Sequence, residues 1–237
     1  MKNKNFLIVL FALFALFFYQ ATHGLFSDTA VSSNNTFTAS DSFSGPIGTG
    51  TPTPTITLIV TPPGGQTVNP RDVVINEINW AGSGRGDFDE WIELKNTTET
   101  SISLDGWIIE NLGTSTKKNI IIASGTISPN GLFLISNYSQ ANSYISIDPD
   151  IVDSDISLDN GGEQLILKDS IGTVIDIAND SGKWFAGTNI PPRKSMERNS
   201  YRDDGSVSSN WHTATAAFNL DLEATESATP RHENSSP

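Results

Sequence analysis

The sequence predicts an all-β fold of the sandwich or barrel class, and three observations support this prediction. Short runs rich in Val, Ile and aromatic residues recur from residue 73 onwards, at spacings of about ten residues. Most runs are followed by Gly, Asn, Asp or Pro, which favour turns. Outside the N-terminal segment, no window repeats its apolar residues with the period of about 3.6 residues that marks an amphipathic helix.

The predicted strands are short and β-branched. In chain order they cover residues 73–80, 90–95, 107–110, 119–122, 132–135, 164–168 and 173–177. The last two form a predicted hairpin, because Gly172 in their connection can adopt the left-handed backbone conformation of a tight turn. Six large aromatic side chains are expected in or against the core. They are Phe88, Trp91, Trp107, Phe133, Trp184 and Trp211.

The composition divides the 237 residues into four segments. Residues 1–24 are a predicted signal peptide or signal anchor, and residues 25–71 are a predicted disordered linker rich in Thr, Pro, Ser and Gly. Residues 72–215 are long enough to bury one β-sandwich core without disulfides. Residues 216–237 are a predicted disordered acidic tail without a hydrophobic stretch or a sortase-type box. Any membrane tether is therefore expected at the N-terminal segment.

The N-terminal segment has the pattern of an export signal. Two lysines precede an uninterrupted apolar run over residues 6–18. A spanning helix needs about 20 apolar residues, so this run of 13 fits a signal-peptide core better. Thr22 and Gly24 are small residues in the third and first positions before a cut at Leu25. An uncleaved signal anchor is the alternative.

The charge and the composition exclude several kinds of site. The chain carries 14 Lys and Arg against 27 Asp and Glu, a formal net charge of −13. This balance argues against binding to nucleic acid or, by charge alone, to anionic lipid. The absence of Cys excludes disulfides, thiolate catalysis and Cys-ligated zinc. His23, His212 and His232 are too far apart in sequence to suggest a histidine metal site.

Four ordered motifs in the predicted domain resemble those of bacterial lamin-tail domains. They are VINEINWAGS at 74–83 with DEWIELKN at 89–96, LDGWII at 104–109, SMER at 195–198 and NW at 210–211. The resemblance implies an immunoglobulin-like β-sandwich that serves as a binding or attachment module without catalytic residues. Bacterial members of that family are often secreted or attached to the cell surface, and they occur alone or beside hydrolase and nuclease domains.

The segment after the apolar run carries a second resemblance. Residues 25–30 (LFSDTA) and 33–39 (SNNTFTA) are similar to the leader region of bacterial biofilm-fibre subunits and camelysin-type surface proteins. This resemblance implies export with processing by a dedicated signal peptidase. It ends at Ala39, so it implies neither the fibre fold nor protease activity for the rest of the chain.

Carboxylates supply the candidate site residues. Asp148, Asp150, Asp153 and Asp155 are spaced so that one loop could present several oxygens to calcium. They lack the Gly and the final Glu of an EF-hand, so a solvated acidic loop is the favoured interpretation and no cofactor is expected. The tripeptide Arg-Gly-Asp at 85–87 is interpreted as incidental.

Arg198 is expected to be buried in an ion pair with a strand carboxylate, Glu77 or Glu93, because its planar guanidinium can meet a carboxylate in two bonds. One apolar and one mixed face are predicted for the strand at 90–95, with Ile92 and Leu94 on the apolar face and Trp91 and Glu93 on the mixed face.

We therefore expect a noncatalytic binding or attachment module that is secreted or displayed on the extracellular surface. Its expected partner is a polysaccharide or protein of the cell envelope, with a signal peptidase acting during export and membrane contact only through the N-terminal segment. One alternative is a self-assembling structural or matrix subunit. A less favoured alternative is a hydrolase, or its accessory domain, that uses a carboxylate pair such as Asp89 and Glu93.

Cleavage of the signal segment can be tested directly. We expect exported protein to begin at Leu25, because Thr22 and Gly24 give the small-residue pattern that signal peptidases read. N-terminal sequencing of protein recovered outside the cells measures this, and Gly24→Trp is the control that should abolish the cut. Exported protein that retains residues 1–24 would support the signal-anchor alternative.

Overall fold

All seven predicted strands are present, and they belong to a mainly β structure. The computed structural model describes residues 66–116 and 118–237. The predicted signal segment and most of the predicted linker therefore lie outside the described residues. Within the described part, no helix is long and apolar enough to cross a membrane.

The described chain contains twelve strands and two single-turn 3₁₀ helices. The strands are β1 (Val73–Asn79), β2 (Trp91–Asn96), β3 (Ile102–Ser103), β4 (Trp107–Glu110), β5 (Ile120–Ile122), β6 (Thr126–Ile127), β7 (Leu132–Ser136), β8 (Ile151–Val152), β9 (Leu165–Lys168), β10 (Val174–Ala178), β11 (Met196–Arg198) and β12 (Trp211–Thr213). The helical turns are Gln140–Asn142 and Ser208–Asn210. The five strands without a sequence prediction have only two or three residues each, too few to form a recognisable run.

Two main sheets share one apolar core. The six-stranded sheet has the order β12-β11-β1-β2-β7-β8 and is antiparallel except for the pair β7 and β8. The four-stranded sheet has the antiparallel order β10-β9-β4-β5, and β3 pairs with β6 in a small third sheet. Buried side chains from both main sheets form one cluster, as expected for a β-sandwich.

Side-chain alternation explains which residues enter the core. In β4, Trp107 and Ile109 are buried, whereas Ile108 and Glu110 are partly exposed. The same alternation occurs in β9, where Leu165 and Leu167 are buried and the intervening residues are partly exposed. Successive strand residues point to opposite faces, so the four-stranded sheet places one face in the core and leaves the other accessible.

The prediction of core aromatics is confirmed for five of the six residues. The buried ones are Trp91, Trp107, Phe133, Trp184 and Trp211. The prediction is wrong for Phe88, which is 59% exposed. Phe88 lies in the loop before β2, in a turn closed by a hydrogen bond from the Asp89 amide to the Gly86 carbonyl, and not on a strand face.

The predicted hairpin is confirmed as β9 and β10. Gly172 has a φ angle of 88°, in the left-handed region that the tight connection requires. The Asp169 carboxylate accepts hydrogen bonds from the amides of Ile171 and Thr173 at 3.1 and 2.7 Å. These bonds satisfy backbone donors within the turn, which is why an Asp at its first position favours this conformation.

Residues 216–237 differ from the predicted disordered tail. Ala228, Thr229 and Pro230 are buried, and residues 217 and 228 form a β-bridge. Because this segment lies on the outer face of the six-stranded sheet, β1 and β2 are buried on both faces. Its polar composition suggested disorder, but the sheet face beneath it is itself polar and needs hydrogen-bonding partners.

Arg198 is buried in an ion pair, but its partner differs from the prediction. Its Nη2 atom lies 2.7 Å from Asp176 Oδ2, and both side chains are almost inaccessible to solvent. The same oxygen accepts the Ile75 amide at 2.9 Å. The pair therefore links β10 of the four-stranded sheet to β11 and β1 of the six-stranded sheet. Burial raises the pKa of Asp176 to about 6, although the Arg198 charge opposes this rise.

Removal of the guanidinium should destabilise the domain strongly. We expect Arg198→Met to lower the free energy of unfolding by about 3 to 5 kcal/mol, because it leaves Asp176 buried without its partner. The control is Lys168→Met, whose pair with Glu110 is partly exposed, with an expected loss below about 1 kcal/mol. Urea denaturation followed by tryptophan fluorescence measures both. Equal losses in the two variants would contradict a structural role for the buried pair.

Candidate functional site

Three buried glutamates form a row across the outer face of the six-stranded sheet. Glu77 on β1 is directly opposite Glu197 on β11 and Glu93 on β2. All three residues are completely buried. Their strand neighbours Ile78, Ile92 and Met196 point into the core, so alternation places the glutamates on the other face. We call these three residues the carboxylate row.

The C-terminal strap, residues 228–235, covers the carboxylate row and supplies its hydrogen-bond donors. The Thr229 amide donates to Glu77 Oε1 at 2.9 Å. The Thr229 hydroxyl lies 3.0 Å from Glu77 Oε2 and 2.8 Å from Glu197 Oε1. A hydroxyl has one hydrogen, so it can bond to both oxygens only if one of the two carboxyl groups carries a proton.

Further donors act at both ends of the row. The Arg231 amide donates to Glu93 Oε2 at 2.6 Å. The Ser235 amide donates to Glu197 Oε2 at 2.9 Å, and its hydroxyl contacts the same oxygen. His212 Nε2 also lies 2.9 Å from this oxygen. The strap thus contributes a donor to each of the three glutamates, which makes their burial tolerable.

Burial favours the protonated forms of Glu77 and Glu93. Desolvation raises the pKa of Glu93 to about 8, although the Arg231 amide and the nearby charges of Arg231 and Lys95 oppose the rise. Desolvation also raises the pKa of Glu77 well above its usual value, and the charges of Glu197 and Glu93 raise it further. Glu93 is therefore mainly protonated at neutral pH.

These raised pKa values predict that the stability of the domain falls as the pH rises from about 4.5 to about 8. Carboxyls of the unfolded chain release their protons near pH 4.5, whereas Glu93 retains its proton up to about pH 8 in the folded chain. The unfolded state therefore binds fewer protons in this window, and the free energy of unfolding falls by about 1.4 kcal/mol per pH unit for each such group.

The test is urea denaturation at several pH values between about 5 and 8. We expect Glu93→Gln to make the decline shallower, because the neutral amide cannot ionise. Glu99→Gln removes an exposed carboxyl and is the matched control, with an unchanged slope expected. A wild-type stability that rises across this window would contradict the protonated row.

The carboxylates predicted as a hydrolase pair belong to separate hydrogen-bond networks. Glu93 lies beneath the strap, whereas Asp89 accepts hydrogen bonds from the Ser83 hydroxyl and the Tyr144 amide. Glu90 is also buried and accepts the Leu158 amide at 3.0 Å, and burial raises its pKa to about 8. Each buried acid is thus bonded to groups of the protein itself.

The four aspartates proposed for calcium are engaged in different contacts. Asp150 Oδ2 accepts the Leu134 amide at 2.7 Å, and its Oδ1 lies 2.5 Å from Arg231 Nη2. Asp153 Oδ1 accepts the Asp155 amide at 2.9 Å, and Asp148 is exposed. Across residues 66–116 and 118–237, no three acidic or histidine side chains are grouped so that they could hold one metal ion.

The Arg-Gly-Asp tripeptide makes contacts within the molecule. Arg85 pairs with Asp221 and Glu223 at 3.1 and 2.7 Å. Asp87 pairs with Arg193 at 2.5 Å. Both charged side chains of the tripeptide are therefore engaged in intramolecular ion pairs.

The outer face of the four-stranded sheet is apolar and accessible. We define the aliphatic face as Ile108, Ile121, Ile166, Val174 and Ile177. Ile121 is 58% exposed and Val174 is 40% exposed, and the other three are partly exposed. Cross-strand register places Ile121 beside Ile108 and Ile166 beside Ile177, so these side chains form neighbouring pairs.

A single charged pair interrupts the aliphatic face. Lys168 Nζ lies 2.6 Å from Glu110 Oε1, and both side chains are about one quarter exposed. The sequence carried a signal for this face that the prediction did not use. Residues 108–109 and 120–122 are consecutive isoleucines, and alternation in a strand places consecutive apolar residues on both faces of the sheet.

The architecture and the family comparison agree on the class of protein. The described chain is an all-β, immunoglobulin-like sandwich, as predicted. Residues 66–181 match the family model of the Lamin Tail Domain, so this part of the chain is a lamin tail domain, which is an immunoglobulin-like fold. None of the curated proteins compared with the chain matches it. The matched segment ends before β11 and β12, which complete the six-stranded sheet in this chain.

Proposed function

We propose that this chain is a noncatalytic module, exported to the cell surface or beyond it, that attaches to a protein partner through the aliphatic face. The observation that supports this proposal is the exposure of several β-branched side chains on one sheet face. Accessible aliphatic side chains grouped on one face of a domain mark sites of interaction. The proposed export rests on the signal-like N-terminal segment.

The chemistry of the face favours a protein over a polysaccharide as the partner. Its accessible side chains are aliphatic, with one Lys–Glu pair as the polar element. Aliphatic surface gains free energy when another apolar surface excludes water from it. A sugar chain presents many hydroxyl groups, which would lose hydrogen bonds to water against isoleucine without receiving replacements.

The arrangement of the buried acids supports a noncatalytic role. A general acid needs a raised pKa and access to a substrate. Glu93 and Glu90 have pKa values raised to about 8, but both are buried and accept backbone amides of the protein. These carboxyl groups thus act as hydrogen-bond acceptors within the folded domain.

Self-assembly is the second candidate, and the position of β5 favours it. Ile121 lies in β5, an edge strand of the four-stranded sheet, and edges can pair with a second copy. The formal net charge of −13 opposes contact between two copies. A partner that is neutral or basic around an apolar surface therefore fits better than a second copy.

Attachment through the aliphatic face can be tested by a substitution that introduces a charge on that face. We expect Ile121→Lys to abolish saturable binding of the labelled exported protein to envelopes of the producing cells, because the new ammonium would have to be desolvated at the contact. Protease treatment of the envelopes should abolish binding of the wild type. Val152→Lys, in β8 at the edge of the other sheet, is the control and should bind like the wild type.

The same variants separate the two candidates. Light scattering that reports oligomers of the wild type, and monomers of Ile121→Lys, would support self-assembly instead. Wild-type binding by Ile121→Lys, or undiminished binding to protease-treated envelopes, would overturn the proposal of a protein partner at this face.

A further inference from the structure

A small cavity lies between the loop before β2, the loop around residue 144 and the C-terminal segment. Asp89, Trp91, Ser143, Tyr144 and Glu226 are among its lining residues. Its free volume of about 10 Å³ corresponds to about one water-sized sphere. The cavity is thus large enough for one small ion or one water molecule.

Asp89, which lines this cavity, has one unpartnered carboxyl oxygen. The residue is 1% exposed. Its Oδ2 atom accepts the Ser83 hydroxyl and, at 3.1 Å, the Tyr144 amide. Its Oδ1 atom is buried and has no hydrogen-bond partner among the described residues. A buried carboxyl oxygen without a partner is costly, and a ligand that carries positive charge would satisfy it.

The neighbouring cations of the protein are engaged elsewhere. Arg85 pairs with Asp221 and Glu223, and Arg193 pairs with Asp87. Glu226 adds a second carboxylate to the lining of the cavity, and it accepts the Gly84 amide at 2.7 Å. Two carboxylates beside one cavity repel each other unless a cation lies between them.

We propose that Asp89 and Glu226 bind one calcium ion in this cavity. Both groups supply hard oxygen ligands, and Ser83 and Ser143 add hydroxyl oxygens to the lining. Calcium accepts irregular sets of oxygen ligands and retains water in its shell, whereas magnesium needs a nearly ideal octahedron. Two carboxylates balance the charge of a divalent ion, and the acidity of the chain raises the local concentration of cations.

A calcium ion here would connect two distant parts of the chain. Asp89 is two residues before β2, and Glu226 is two residues before the strap. The ion would thus fix the C-terminal segment to the loop before β2, next to the existing bond between Gly84 and Glu226. This site is independent of the aliphatic face, which is on the other sheet.

Terbium luminescence tests the site, because Trp91 and Tyr144 line the cavity and can transfer excitation energy to a bound lanthanide. We expect the full chain to give saturable terbium emission on tryptophan excitation, and calcium to displace the terbium. Extracellular calcium modules bind with dissociation constants of about 0.1 to 1 mM, and we expect this range. Magnesium should displace terbium only weakly.

Matched variants test whether the terbium emission arises from an ion bound in the cavity. We expect Asp89→Asn and Glu226→Gln each to weaken calcium binding by at least about tenfold. Asp148→Asn, which removes an exposed carboxylate from the acidic loop, should bind calcium like the wild type. Glu226 is only partly buried, so its variant should keep the fold even if Asp89→Asn does not.

Thermal unfolding supplies a second measurement. Calcium should raise the melting temperature of the wild type and of Asp148→Asn, but not that of Glu226→Gln, because a ligand that binds the folded state stabilises it. Emission that does not saturate, or that is unchanged in both cavity variants, would overturn the proposal. No shift of the wild-type melting temperature at about 10 mM calcium would also overturn it and indicate an ordered water in the cavity.

Discussion

The hydrogen bonds between the C-terminal strap and the carboxylate row are the constraint on which the arrangement of this domain depends. Three glutamates side by side on a sheet would repel one another and lose hydration on burial. Thr229, Arg231 and Ser235 supply donors to them, and the shared Thr229 hydroxyl requires a proton on the row. The strap and the row therefore stabilise each other, and neither has a satisfactory environment alone.

The two outer faces of the sandwich consequently differ. The face of the six-stranded sheet is polar and is covered by the chain itself, so β1 and β2 are buried on both sides. The face of the four-stranded sheet is aliphatic and accessible, with Ile121 its most exposed member. An exposed polar face would interact well with water, and an exposed aliphatic face does not. This asymmetry is the physical reason to expect a protein contact at the four-stranded sheet.

Local features could be predicted from the sequence, and long-range pairings could not. Turn residues and β-branched runs located seven strands, and Gly172 located the hairpin, because these signals act over a few residues. The alternation of Ile92 and Glu93 was correct, but burial of Glu93 depends on a strap about 140 residues away. Likewise, the charge of Arg198 predicted a buried pair, whereas its partner Asp176 is determined by how the two sheets align.

The separation of the strap from its partners in sequence also determines when the domain can be completed during synthesis. Glu77 and Thr229 are 152 residues apart, so the donor reaches the ribosome exit long after the glutamate. Until residues 228–235 have emerged, the six-stranded sheet lacks the cover for its acidic face, and contacts of such long range form slowly. The polar face of the six-stranded sheet can therefore be completed only near the end of synthesis, which is compatible with the export proposed above.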